Sequence, residues 1–119
     1  MERFKGETTG IRQKCIRSLV DVIVLNLLKN KPMCGYEIIE SIYDRTHVLL
    51  SPGTVYPLLD SLQMKGLIDN KVDGRKRIYM ITNIGKEAFE RMSAEYVKTQ
   101  AIFSVGFGVE TEGYINRRK

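Results

Sequence analysis

Three consecutive bases, Arg75-Lys76-Arg77, follow directly on Asp73-Gly74, a dipeptide that favours a tight hairpin turn. A basic cluster at a hairpin tip can neutralise phosphates and release their counterions. A second set carries hydroxyls. Ser51, Thr54 and Tyr56 stand close together at the start of an apolar-periodic segment, where hydroxyl groups can donate to phosphate oxygens. Neither set resembles a catalytic constellation. His47 is the single histidine and has no serine, cysteine or aspartate arrangement around it. No phosphate loop, zinc spacing or carboxylate pair is visible, so neither an enzyme nor a metal or cofactor is expected. Cys15 and Cys34 form no CxxC pair and read as packing residues.

Charge points the same way as the basic cluster. The 119 residues carry a net +5, unevenly spread. Residues 1–31 hold seven bases and three acids, and residues 63–81 hold five bases and two acids. Residues 32–62 hold one base and four acids. A basic chain without an acidic-substrate site favours a polyanion partner, although +5 by itself also serves solubility. No apolar run approaches a membrane span, and the charged N-terminus lacks the apolar stretch of a signal peptide, so a cytoplasmic protein is expected.

Those groups need elements to hold them. Ile16, Leu19, Val20, Ile23 and Leu27 recur at helical spacing and predict one core helix over 11–29, stopped by Pro32. Ile38, Ile39 and Ile42 predict a short helix from Gly35 to about Arg45. Ser51 followed by Pro52 predicts an N-cap and first helical residue. From there Val55, Leu58, Leu59 and Leu62 run to about Lys65, with Gly66 as the stop and Pro57 bending rather than breaking the helix. Residues 67–72 and 78–81 read as two strands, with 73–77 as the loop between them. Thr82 then caps a last helix over about 83–104. The expected fold class is mostly α with a small β-hairpin (α+β): a winged helix-turn-helix over residues 1–82, a C-terminal dimerisation helix over 83–105, and a tail over 106–119. Two short helices followed at once by a basic hairpin suit DNA. The second helix can lie in a major groove while the wing reaches the adjacent backbone.

Several segments carry a closer likeness. Pro32-Met33-Cys34-Gly35-Tyr36-Glu37-Ile38, Ser51-Pro52-Gly53-Thr54-Val55-Tyr56-Pro57-Leu58-Leu59, Lys65-Gly66-Leu67-Ile68 and Arg77-Ile78-Tyr79-Met80-Ile81-Thr82-Asn83-Ile84-Gly85 together resemble the PadR-like transcriptional regulators over roughly residues 19–90. The resemblance implies a dimeric regulator, commonly a repressor, whose partners are double-stranded DNA, a second copy of itself and, in some members, a phenolic or other aromatic effector. The lack of tryptophan departs from the members that stack such ligands. Any effector pocket is expected where the last helix meets the first. The resemblance also carries the tyrosine at Tyr56, which favours a phosphate contact there over a ring packed on the wing.

The expected DNA-binding set is therefore Tyr36, Ser51, Thr54, Tyr56, Lys65, Arg75, Lys76 and Arg77. Arg12, Lys14 and Arg17 fit a solvated face better than a DNA contact. On a helical wheel Gly53, Pro57, Asp60 and Met64 face outward, flanked by Thr54, Tyr56 and Ser61. That face lacks Arg, Lys and Asn, so weak direct base readout and reliance on DNA shape are expected. The expected dimer interface is a seam of Phe89, Met92, Tyr96, Thr99 and Phe103, spaced 3, 4, 3, 4. A non-specific architectural protein and a protein-docking winged helix are the alternatives left open.

Overall fold

The computed structural model describes residues 2–109, with side chains from Gly10 onward. The chain divides into two compact units, residues 1–89 and 90–119. The first holds α1 (Glu2–Ser18), α2 (Val20–Asn30), β1 (Met33–Cys34), α3 (Gly35–Thr46), α4 (Pro52–Met64), β2 (Ile68–Asp73) and β3 (Lys76–Ile81). The last helix, α5 (Asn83–Phe107), begins in the first unit and supplies the described part of the second. The 106–119 tail falls beyond the described residues from position 110 on.

The single helix expected over 11–29 is two helices. The break falls at Leu19, where φ −114° and ψ 13° leave the helical well. Ser18 contributes by donating its hydroxyl to the Cys15 carbonyl at 2.8 Å, a back-bond that competes with the helical ladder. Separation lets α2 bury itself. Val20, Val24, Leu25, Leu27 and Leu28 are all buried, as suits a helix apolar on most sides. Ile38, Ile39 and Ile42 from α3 and Val55, Leu59 and Leu62 from α4 complete the core around it.

The segment between α3 and α4 is part of that core rather than a bare connector. His47 ends α3 in the left-handed region at φ 59°. The chain then runs extended, so Val48 and Leu50 point inward and are buried while Leu49 between them is exposed. Pro57 leaves α4 unbroken, as expected so near the N-terminus, where few hydrogen bonds are lost.

The sheet has a third strand. Its order is β1-β3-β2, all antiparallel, with Met33 opposite Tyr79 and Cys34 opposite Ile78. Two residues are too few to show a period, so no spacing in the sequence predicts β1. The hairpin turn also sits one residue later than expected. Asp73 pairs with Lys76, leaving Gly74 and Arg75 as the two-residue turn. Gly74 has φ +65° and Arg75 is not at positive φ, the sign pattern of a type II′ turn. Only Arg75 is therefore in the loop; Lys76 and Arg77 open β3.

Thr82 fastens α5 to the sheet. Its hydroxyl donates to the Gly66 carbonyl at 2.7 Å and accepts from the Gly85 N–H at 3.0 Å. Its own N–H donates to the Leu67 carbonyl at 3.1 Å. This draws the first turn of α5 onto the chain leaving α4. A Cβ at Gly85 would collide with the Leu67 carbonyl oxygen, which is backbone and cannot step aside. Gly85→Ala is expected to destabilise the fold by about 1–3 kcal/mol through overpacking. Thermal denaturation followed by circular dichroism checks this, and an unchanged midpoint would contradict so close an approach.

Candidate nucleic-acid interface

The outward stripe of α4 is set by its inward one. Burying Val55, Leu59 and Leu62 turns Gly53, Pro57, Asp60 and Met64 to solvent, with Thr54 and Ser61 half-buried at the edges. At the N-terminus Ser51 Oγ accepts from the Thr54 N–H at 3.2 Å, satisfying one of the unpaired amides of the first turn. The two hydroxyls also lie 3.2 Å apart in a hydrogen bond of their own. One hydroxyl proton closes that bond, and the other is left to donate outward.

Tyr56 leaves the helix sideways. Its ring is partly exposed and its hydroxyl lies over Gly35, in the space that a Cβ there would fill. A glycine at the first position of α3 is thus what lets α4 reach across to α3. Beside it Tyr36 is 73% exposed, an unusual state for a tyrosine with nothing in the fold to cover it.

β3 brings the bases to the same place. Side chains alternate along a strand, so Arg77 shares a face with Tyr79, which is buried. Burial raises the Tyr79 pKa, with the charge of Arg77 acting in the opposite direction. A cleft of about 560 Å³ is lined by Cys34, Gly35, Tyr36, Glu37, Glu40, Tyr56, Arg75, Lys76 and Arg77. The structure thus gathers Tyr36, Tyr56, Arg75, Lys76 and Arg77 around one concavity. It does not gather the other three. Ser51 and Thr54 lie at one end of α4 and the exposed Lys65 caps its other end, about 20 Å away along a helix of this length.

Two acids in the cleft were not among the expected site residues. Glu37 Oε1 accepts from the Cys34 N–H at 3.0 Å, closing the start of α3. That bond to the Cys34 backbone, with help from the Cys34 side chain and then Lys31 and Lys76, holds the Glu37 carboxyl below the usual carboxylate range. Because the shift is downward, its contribution to the fold is present at neutral pH and is lost as the pH falls through the lowered pKa. The signal was there in the Gly35-Tyr36-Glu37 motif, where a glutamate three residues after an N-cap can reach back to it. Glu40, one helical turn on, is exposed on the same side.

A second, shallower cleft of about 440 Å³ is lined by Asp60, Gln63, Met64 and Arg77. Arg77 therefore borders both clefts and lies beside the outward stripe of α4, not only at the wing. Asn70 on β2 donates its side-chain amide to Gln63 Oε1, tying the end of α4 to the sheet.

The residues expected to form a dimer seam occupy several environments. Phe89 is half-buried in the first unit, with Lys29 Nζ 5.1 Å from its ring centroid. In the second unit Met92 is half-buried, and Tyr96, Thr99 and Phe103 are exposed. Tyr96 accepts from Gln100 at 2.8 Å. Helix α5 also runs further than expected, to Phe107, before Gly108 at φ +72° ends it. Phe107 lies four residues beyond Phe103, their ring centroids 6.0 Å apart, so the apolar stripe gains another turn.

No helix among the described residues is long and apolar enough to cross a membrane. The arrangement resembles known proteins. A transcriptional regulator from Clostridium thermocellum superimposes with a TM-score of 0.72 at 26% identity, over 76% of this chain and 92% of that one. A PadR family transcription regulator from hypervirulent Clostridium difficile R20291 gives a TM-score of 0.66 at 25% identity, over 72% and 95% of the two chains. The transcriptional activator GvpE of Haloferax mediterranei is 32% identical over 74 residues, 61% of this chain and 38% of that protein. The profile of the transcriptional regulator PadR-like family matches residues 24–91. With that match over more than half its length, on a mostly helical winged fold with a small antiparallel sheet, the chain belongs to the PadR-like family of transcriptional regulators.

Proposed function

We propose that this regulator binds a palindromic operator as a homodimer in the cytoplasm and represses transcription by occupying its site. The observation that carries this reading is the gathering of Tyr36, Tyr56, Arg75, Lys76 and Arg77 at one cleft beside the exposed stripe of α4. With α4 in a major groove, Ser51 or Thr54 donates to a phosphate at the helix N-terminus, and Tyr56 does so from its flank. The wing bases follow the neighbouring backbone. The acids of α3 repel phosphates, so affinity comes from the wing and Lys65. The α5 seam supplies the twofold axis and sets two recognition helices about 34 Å apart. A small-molecule effector is proposed on the family resemblance alone.

The test is a gel-shift on DNA from upstream of the protein's own gene, with competitor DNA. Specific retardation supports the operator reading. Uniform retardation of any duplex would make it an architectural protein, and no retardation would point to a protein partner. The direction of regulation is tested by transcription in vitro from that promoter. Repression is expected; stimulation would favour the second reading, activation, which rests on the similarity to the protein named a transcriptional activator.

Tyr56 gives a finer check. Tyr56→Phe keeps the ring and removes the hydroxyl, so operator affinity should fall by roughly 1 kcal/mol, the scale of one hydrogen bond. Unchanged thermal stability is expected beside that loss. Wild-type affinity in Tyr56→Phe would mean that the ring only packs.

A further inference from the structure

The outward stripe of α4 is almost empty of groups that can read a base. Gly53 and Pro57 offer no side-chain polar atom, and their small profile lets the helix approach closely. Met64 offers none either. Gln63 lies at the edge with its carbonyl oxygen held by Asn70. The remaining member, Asp60, is fully polar and exposed in the middle of the stripe. A carboxylate facing a phosphate-lined groove is unfavourable unless a donor meets it. Arg77, across the cleft that both residues line, lowers that cost but does not remove the need for a donor.

We infer that Asp60 is a specificity-determining residue that reads cytosine in the operator's major groove. This rests on the proposed reading that α4 enters that groove. The chemistry selects the base. An ionised carboxylate only accepts hydrogen bonds. The major-groove edges carry two amino donors, cytosine N4 and adenine N6. Adenine N6 lies between two acceptors, its own N7 and the paired thymine O4, which repel a carboxylate from both sides, whereas cytosine N4 has an acceptor on one side only, the paired guanine O6. Guanine and thymine offer acceptors alone. Asp60 therefore favours a C·G pair and disfavours the rest. Its position two turns into α4 places this pair inside the half-site, past the contacts made by the helix N-terminus.

The experiment is selection from a randomised duplex library with the wild-type protein, Asp60→Ala and Asp60→Asn. The wild type should select cytosine at one position of each half-site, by roughly tenfold over other bases. Asp60→Ala should lose that preference and keep the rest of the selected sequence. Asp60→Asn should move the preference to adenine, because a carboxamide both accepts and donates and matches N6 and N7 together. One selected sequence shared by all three proteins, with affinity raised equally for every duplex in Asp60→Ala, would overturn the inference and leave Asp60 as an electrostatic brake. A wild type that selects no sequence at all would overturn the operator reading, and this inference with it.

Discussion

Replacing Arg75 and Arg77 together by alanine is expected to weaken binding to every duplex, specific or not, and to flatten its salt dependence. Arg75 is the second residue of the wing turn and Arg77 the second of β3; both are exposed and both border the cleft with Tyr36 and Tyr56. Each phosphate contact releases counterions, so each lost contact reduces the slope of log affinity against log salt by about one unit. A dimer has two wings, and the double substitution removes up to four contacts. Hydrogen bonds to charged groups contribute about 1.5–3 kcal/mol each, so the combined loss reaches several kcal/mol at low salt. The fold should be unaffected, since exposed substitutions of this kind usually change stability by less than about 0.5 kcal/mol. Fluorescence anisotropy titrations over a range of salt concentrations give both readouts. A slope equal to wild type would remove the wing from the mechanism.

The second large effect concerns assembly. Met92→Glu with Tyr96→Glu is expected to give a monomer that no longer binds the operator, while the winged unit stays folded. Helix α5 exposes Tyr96, Phe103 and Phe107 along one stripe, the last of them 73% exposed. A second copy of the same stripe, related by a twofold axis, would cover it. Four carboxylates placed in that seam would have no partners, and burying unpaired charge costs several kcal/mol per ion. Loss of the dimer also separates the two half-site contacts, so each must bind alone. The winged unit has its own core in α2, α3 and α4, and the two substituted positions lie in the second unit, so its circular dichroism should persist. Sedimentation of both proteins separates the outcomes. A wild-type monomer at micromolar concentration with intact DNA binding would contradict the dimer.

The fold was legible wherever several residues shared a period or a cap. Ser51-Pro52 located the start of α4, Thr82 the start of α5, and the isoleucines of α3 its buried face, because each is a local rule with a local cause. What was not legible depended on partners distant in sequence. Strand β1 exists only because β3 lies beside it. The helix break at Leu19 interrupts a periodicity that continues on both sides of it. The tuck of Tyr56 over Gly35 and the approach of Gly85 to Leu67 are tertiary contacts that no spacing reveals. In the site, the basic triplet was visible as a run, but its division was not. A turn shifted by one residue puts Arg77 on the strand face that meets α4, and this is what brings a base beside Asp60.

In the proposed complex, α4 and the wing of each protomer hold one half of a twofold operator. Hydroxyl-radical footprinting of the wild-type protein on the fragment it retards tests this most directly. Two protected patches are expected on one face of the duplex, about one helical turn apart and related by a dyad, with weaker flanking protection from the wings. Even, unphased protection along the fragment, or a single patch without a dyad, would contradict it.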